Sequence, residues 1–402
     1  MGAAQEVSAS KHLLGAMTIT ASLLAACGAA RADEGISLKA PGSETTLTIR
    51  GYVKLDAIWS DCSAGVDSVG DQTLSINTVP VGPTACQHKK NQVTMHARQS
   101  RLSVATSTPT SYGDLTTFIE GDFFGADGNE STTNSNGFRI RHAYGALGKL
   151  SAGQYWTNFF NEQAYVETLD FGGPVGEIFV RQAQLRWTEK LARGDWSVSA
   201  ENPESLIAIP GSATTLRSDS DHAPDFTTRV RLGSGGAVYS AGALVRNIHI
   251  DTAAPAANSG RWGGGVALTG IVPVGERDDL RVNFNVGNAI GRYQNGGFFP
   301  DGYLDASGSL HLARQTSGYV AFRHFWTPEL RSTLELSAAS SNPPAGTAVG
   351  INKSDRSQHV NLIWSPVRAV NLGAEYIHAQ RTVVGGDHGS LNRIQFSAQY
   401  SF

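Results

Sequence analysis

Arginine dominates the charged chemistry available to this chain. Of its 32 basic residues, 24 are Arg and 8 are Lys. A guanidinium keeps its charge at any physiological pH and presents a planar fork that grips a carboxylate through two bonds. Read at a period of two, Arg50, Lys54, Arg139, Arg141, Arg186, Arg229, Arg231, Arg246, Arg281 and Arg323 fall on the polar side of their segments. Along a narrow passage, such forks attract anions and let each one step on to the next site. The same side chains can instead pair with Glu120, Asp122, Asp225, Glu335 and Glu375 and merely brace a wall. Both uses are expected, half of the ladder braced and the rest facing solute. Arg98 and Arg101 stand three apart and cannot share a face of a regular strand. Either a bulge re-aims one of them, or one lies at a rim or a subunit contact.

Other chemistries lack their residues. From residue 33 onward there is no G-x-S-x-G, H-E-x-x-H, P-loop or C-x-x-C. The 11 His are scattered, and His142, His324 and His378 have no evident nucleophile beside them. No cofactor, no metal and no catalytic residue is expected. A formal charge of -3 excludes a protein held to a polyanion by bulk charge, so no nucleic-acid partner is expected either.

The elements that must carry these arginines are strands. Charged residues make up 17% of the chain, against about 25% in an ordinary soluble domain, and Gly is 45 of 402. This excludes a coiled coil, a helical solenoid and a typical α/β enzyme. In the last twelve residues Ile394, Phe396, Ala398, Tyr400 and Phe402 alternate with Arg393, Gln395, Ser397, Gln399 and Ser401. Near residue 50, Leu47, Ile49, Val53, Leu55, Ala57 and Trp59 alternate with Thr48, Arg50, Lys54 and Asp56. Such segments have one apolar and one polar face, and the pattern recurs until sixteen strands are counted.

Their connections alternate in length. Short turns recur at 108–110, 148–149, 191–194, 233–235, 273–278, 327–329 and 365–368. Long polar loops are read at 61–91, 125–137, 157–178, 203–224, 249–260, 291–310, 341–355 and 381–390. That rhythm describes a transmembrane barrel of antiparallel strands, the one closed β solution in a bilayer. A soluble β-sandwich would need two domains and a linker, which no composition shift marks, and its polar faces would favour Lys and Glu over Arg. Trp59, Phe123, Phe124, Phe325, Trp326 and Trp364 sit at strand ends, where a membrane interface holds aromatic rings.

Four segments carry a resemblance. Val93–Thr106, with His96-Ala97-Arg98-Gln99-Ser100-Arg101-Leu102 at its centre, is similar to the second strand of the DcaP-like Gram-negative outer-membrane porins. Ile119–Gly125, Arg139–Gly145 with Ala152–Trp156, and Glu167–Phe171 through Phe179-Val180-Arg181-Gln182 resemble the strands and inward loop that follow. Weaker likeness runs to the C-terminus. The resemblance implies an all-β, 16-stranded, trimeric diffusion channel (porin) in the Gram-negative outer membrane, among membrane lipid and lipopolysaccharide. Its expected solutes are small, hydrophilic and preferentially anionic, dicarboxylates among them. It also implies that Arg98 and Arg101 both point inward near a constriction and adds Arg181 to the candidate solute-binding set, with Glu120 and Asp122. The rival class is an outer-membrane barrel enzyme of phospholipase or protease type. Loop 157–178, with Glu162, Glu167, Asp170 and Glu177 among Phe159, Phe160, Tyr165 and Phe171, is expected to fold inward and face the basic wall.

The front of the chain reads as a targeting segment. Lys11 and His12 precede the apolar run Leu13–Ala26, and Ala30-Arg31-Ala32 follows as a cleavage site. Residues 1–32 are thus expected to be a signal peptide, 33–44 a short periplasmic segment and 45–402 the barrel. Loss of Glu6, Lys11 and Arg31 takes the formal charge from -3 to -4. In a competing reading Leu24–Cys27 is a lipobox and Cys27 a lipidated N-terminus. Export leaves Cys62 and Cys86 in an oxidising compartment, where a pair persists as a disulfide. Its closure restricts the unfolded loop by roughly 3 kcal/mol. The expected role is a compact lid, or a latch over a neighbouring subunit.

Overall fold

A computed structural model describes residues 35–39, 41–63, 69–87, 90–126, 133–134, 136–218, 220–253 and 255–402. The signal-peptide and lipobox readings, Cys27 included, lie outside the described residues. Sixteen antiparallel strands close on themselves: β1 Thr46–Cys62, β2 Lys90–His96 resumed at Arg101–Thr108, β3 Leu115–Asp122, β4 Arg139–Leu147, β5 Leu150–Trp156, β6 Arg181–Leu191, β7 Gly194–Glu201 and β8 Asp225–Ser234. The circuit continues through β9 Ala237–Ala253, β10 Ala256–Val274, β11 Asp278–Gly287, β12 Gln315–Phe325, β13 Leu330–Ser341, β14 Asn352–Val367, β15 Val370–Val383 and β16 His388–Ser401. Each strand pairs with its neighbour in sequence, and β16 returns to β1 in a register running from Tyr52↔Ser401 to Ser60↔Arg393.

The barrel is apolar outside and polar inside. On β1, Val53 is 55% and Leu55 45% exposed, while Lys54 between them is 3% exposed. On β16, Phe396 stands out and Arg393, Gln395 and Ser397 are buried within. Outward Trp187, Trp196, Tyr239, Trp326, Trp364 and Tyr400 cluster near the short-turn end, the periplasmic one, and form an interfacial belt. Phe124 departs from the expected belt. It turns inward, 4% exposed, onto Phe171 with ring centroids 4.7 Å apart. The short turns use their glycines: Gly235 and Gly236 both have positive φ in the two-residue link from β8 to β9, the geometry that joins twisted strands tightly.

Two expected long loops are mostly strand. Residues 249–260 continue the β9–β10 pairing as far as Ala253↔Ala256. Above β8 the free edge of β9 is capped by side chains, which lets it extend: Ser218 Oγ donates to the His249 carbonyl, and Asp221 and Ser220 accept the amides of His249 and Asp251. Similarly, the β15–β16 link shortens to 384–387. The loops between β7 and β8 and between β11 and β12 build a second, four-stranded sheet from Thr215–Ser218, Ser205–Ala208, Gly302–Leu304 and Leu310–His311.

The chain ends are tied at the closing seam. Ile36–Lys39 pairs with Thr46–Ile49, on the edge of β1 just beyond the end of β16. Phe402 exchanges two backbone hydrogen bonds with Gly51, at 2.9 and 3.2 Å, and its ring occupies the space a Cβ on Gly51 would need. Deleting Phe402 is expected to lower the amount of folded barrel several-fold, read as heat-modifiable mobility in outer-membrane fractions. Unchanged levels would refute a role for this residue in assembly.

Candidate functional site

Beyond β5 the chain leaves the wall at Thr157, crosses the lumen and returns at Val180, where Thr157 N–H donates to the Val180 carbonyl at 3.0 Å. Apolar side chains drive it inward: Phe159, Phe160, Ile178 and Val180 pack with Trp156, Leu244, Ala267 and Tyr293. Much of its polar backbone is met by side chains of the inner wall, which replace the water it gives up. Arg229 on β8 and Arg281 on β11 bond the carbonyls of Phe160 and Tyr165. Tyr319 on β12 and Asn361 on β14 bond those of Ala164 and Glu167, at 2.6 and 2.7 Å. Glu375 on β15 accepts the amides of Leu169 and Asp170 at 2.7 and 3.2 Å, and Lys54 on β1 donates to the Leu169 carbonyl at 2.7 Å. The loop therefore follows the wall from β8 round to β1 and narrows the lumen to a slot along β1–β6.

Two irregularities aim the side chains of that slot. β2 breaks at Ala97–Ser100, and both flanking arginines point inward. Arg98 is 1% exposed and donates to the Ala126 carbonyl at 2.8 Å. Arg101 lies 3.6 Å from Glu120 with its guanidinium over the Tyr52 ring. In β4 the register shifts so that Glu120 faces His142 while Gly121 faces Ile140. Arg141 is the extra residue, and the bulge puts Arg139, Arg141, His142 and Tyr144 all on the lumen side. No strict alternation predicts that set.

The resulting cavity of ≈ 420 Å³ is walled by Tyr52, Phe118, Tyr155, Trp156 and His142, with Phe160, Tyr165 and Phe171 on the loop. The strand-borne rings, Tyr52, Phe118 and Tyr155, are the part of the site that sequence reading missed, while Phe160, Tyr165 and Phe171 came with the inward loop. Arg139 Nε meets Asp122 at 2.7 Å, and Arg141 bridges Glu120 at 2.7 Å and Asp122 at 2.8 Å. Both guanidiniums also approach the Phe171 ring, at 5.2 and 5.4 Å. Arg141 and Asp122 are buried, but Arg139 keeps 32% of its side chain exposed. Arg181 differs from all of these. It stacks 3.8 Å over the Trp156 ring and 4.8 Å from that of Phe179, and it has no carboxylate or hydrogen-bond partner among the described residues. It stands in the repulsive field of Arg141, Arg139 and Arg101. It also lines a second, outer cavity of ≈ 560 Å³ with Arg217 and Arg292.

The rest of the ladder is braced more heavily than expected. Eight of the ten sequence-read cations hold a carboxylate: Lys54 with Asp56, Arg139 and Arg141 as above, Arg229 with Glu162, Arg231 with Asp195, Arg246 with Asp225 and Asp301, and Arg281 and Arg323 with Asp279. Arg186 bonds the Trp156 carbonyl and Gln184. Arg50 is exposed at the periplasmic mouth. Among the described residues Glu335 and Glu375 brace no arginine. Glu375 holds the loop and His359, and Glu335 lies 4.0 Å from His359. The acidic side of the loop does meet basic wall, Glu162 at Arg229 and Arg231 and Glu167 at Arg331 and Arg323.

Glu177 is a discordant group in the loop. It is fully buried, and neither carboxylate oxygen has a hydrogen-bond partner. Burial, and then the charge of Glu335, push its carboxyl well above the usual range, with Arg181 opposing. The seated loop thus favours its neutral form, whereas in a released loop it would ionise as an exposed carboxyl does. Above the ordinary carboxylate value rising pH therefore favours release, so seating is strongest in acid. Glu177→Gln is expected to remove this dependence. Single-channel recordings from pH 5 to 9 should show loop-dependent noise growing with pH in the wild type and flat in the variant. Equal profiles would refute it.

Cys62 and Cys86 form a disulfide with Cα atoms 5.2 Å apart. The described part of their loop reaches into the barrel's mouth. Leu74, Ile76 and Val79 pack inside the barrel's own mouth with Val175, Phe298, Phe299 and Ile377, and the Leu74 amide donates to Asp170 at 2.8 Å. The stapled loop thus buttresses the constriction loop from above, through that apolar cluster and the bond to Asp170.

The three histidines singled out in the sequence stand apart from any nucleophile among the described residues. His142 lies 3.8 Å from Glu120, while His324 bonds Asp278 and His378 bonds Asn392. Among the described residues no hydroxyl or thiol bonds any of these three imidazoles, and no group of three or more His, Cys, Asp or Glu is arranged to hold a metal.

The arrangement has known counterparts. The family model described as DcaP outer membrane protein matches residues 23–402. The structure is similar to the outer membrane channel DcaP of Acinetobacter baumannii, with 23% identity over 91% of this chain and 99% of that one and a TM-score of 0.77. It is similar in fold to an anion-selective porin from Comamonas acidovorans (10% identity, 89% and 100% covered, TM-score 0.59). The same holds for OmpT of Vibrio cholerae (11%, 91% and 100%, 0.56). No curated protein matches the chain.

Proposed function

We propose, from the premise that this chain belongs to the DcaP outer membrane protein family and is a Gram-negative outer-membrane channel, that it passes small hydrophilic solutes with a preference for anions, dicarboxylates included. The observation that carries this reading is Arg181, a guanidinium with no carboxylate partner where the outer cavity narrows to the slot. A bare cation in a confined, partly desolvated passage lowers the energy of an anion there and raises that of a cation. Below it Arg139, Arg141 and Arg101 outnumber Glu120 and Asp122, and the slot's other acids, Glu162 and Asp170, are held by Arg229 and Arg231 and by Arg393, so the slot stays positive after pairing.

An anion is taken first by Arg181, passed to the exposed edge of Arg139 and to Arg101, and released past Lys54, Arg323 and Arg331, which line a periplasmic cavity of ≈ 360 Å³. Arg50 is the last cation on that path. Arg98, Arg141, Arg186, Arg229 and Arg231 hold the walls that shape it. The aromatic rings offer flat apolar faces to a solute's carbon skeleton while the guanidiniums take its carboxylates. The protein works as a homotrimer embedded in membrane lipid and lipopolysaccharide and catalyses no reaction.

A planar-bilayer recording across a tenfold potassium chloride gradient tests the reading. The reversal potential is expected to have the sign of chloride preference, and millimolar succinate should block chloride current more than neutral glycerol does. A cation-selective reversal potential would overturn it.

A further inference from the structure

The outer wall carries a second feature, away from the pore. Across β11–β14 runs a groove of ≈ 570 Å³, and the strand register explains its shape. Phe284, Gly318, Ala338 and Arg356 stand at one level, each paired with the next. All four face away from the lumen, because their flanking residues Asn283, Ser317, Tyr319, Ser337, Ala339 and Asp355 are buried inside. Gly318 and Ala338 leave the surface empty between a raised ring and a raised guanidinium. Val320 and Leu336, one step nearer the periplasm, give the trough an apolar lower end, and the small Thr316 and Ser340 leave it open above. The emptiness is built in: a Cβ at position 318 would collide with the Asn283 carbonyl oxygen.

Arg356 is exposed and has no carboxylate or hydrogen-bond partner among the described residues. It stands eight residues above the outward Trp364 of the periplasmic belt on the same strand, about 26 Å along it at ~3.3 Å per residue. The apolar band of such barrels is about 25 Å tall, so the guanidinium emerges at its extracellular edge. Exposed Lys353 lies three residues further out. An apolar trough that fits a hydrocarbon chain thus ends at an unpaired, outward-facing cation.

The geometry points to a binding site for a phosphorylated, multiply acylated glucosamine lipid of the outer leaflet, one acyl chain lying over Gly318 and Ala338 and a phosphate held by Arg356. The charge favours this occupant over a second copy of the chain. The outward carboxylate of Asp61, one level below Arg356, is already held by Asn392 through two bonds, at 2.8 and 2.6 Å. A phosphate brings oxygens that match the guanidinium fork.

Native mass spectrometry of the purified channel with bis-phosphorylated hexa-acyl lipid A tests the site. The wild type is expected to retain lipid that Arg356→Gln loses at least fivefold, and Ala338→Phe, which fills the trough, should lose as much. The dephosphorylated lipid should bind the wild type no better than the phosphorylated one binds Arg356→Gln. Heat-modifiable mobility reports folding, and if Ala338→Phe does not fold, the other two comparisons decide. Equal retention by Arg356→Gln overturns the proposal, as does equal retention of phosphatidylethanolamine by the wild type. Conversion of an oligomer to monomer by Ala338→Phe also overturns it, since the trough would then be a contact between copies.

Discussion

Replacing Arg181 with Gln is expected to lower the chloride-over-potassium permeability ratio at least about threefold and to weaken succinate block by a similar factor. The size follows from Coulomb's law. A unit charge ~6 Å from a passing ion is worth about 0.7 kcal/mol in water and about 3 kcal/mol at an effective dielectric constant near 20. The lower figure corresponds to roughly threefold. Barrel stability should hardly change, because Arg181 leaves no carboxylate stranded when it goes. Its contacts are the faces of Trp156 and Phe179, over which a Gln amide also fits. Salt-gradient reversal potentials read the effect, and an unchanged ratio with a normally folded barrel would remove Arg181 from the conduction path.

Arg141→Gln is expected to act in the opposite balance, chiefly on the fold. Arg141 is 5% exposed and bridges Glu120 to the wholly buried Asp122. Removing one partner of a buried pair strands charge and costs about 3–5 kcal/mol. Arg139 stays on Asp122 and Arg101 near Glu120, so a loss of about 3 kcal/mol is anticipated. Permeability should shift toward cations as the two carboxylates lose their shared cation. Adding Glu120→Gln to Arg141→Gln should restore part of both losses. The urea midpoint of the folded barrel and the reversal potential check the two effects separately. A stable Arg141→Gln barrel with wild-type selectivity would show that the bridge is immaterial.

The contrast between these two arginines could not be drawn from spacing. Both fall in segments that read as basic and polar, and in a regular strand Arg139 and Arg141 would be equivalent. The bulge at Arg141 and the break at Ala97–Ser100 set which guanidinium is buried, and both depend on cross-strand register. Arg181 was legible as a candidate only through its neighbours in the segment Phe179–Gln182. Its lack of a carboxylate is a fact about what lies across the lumen. The aromatic lining borne by the wall was equally invisible, since Tyr52, Phe118 and Tyr155 come from three strands and none stands at a spacing that marks a site.

What the sequence determined by itself was the barrel and its polarity. Alternation at period two is a local property: each side chain's face follows from its own neighbours, so strand after strand could be assigned without knowing what it pairs with. The ratio of Arg to Lys and the apolar outward face came with it. The tertiary structure alone decided how that interior is used. Whether a lumen arginine meets Asp279, Glu162, a loop carbonyl or nothing depends on contacts between residues as far as 322 positions apart, and such pairing leaves no periodic trace. It also decided that the loop stapled by Cys62 and Cys86 folds into its own barrel, because Leu74, Ile76 and Val79 find their apolar partners on Val175, Phe298 and Ile377, which only the closed barrel brings within reach.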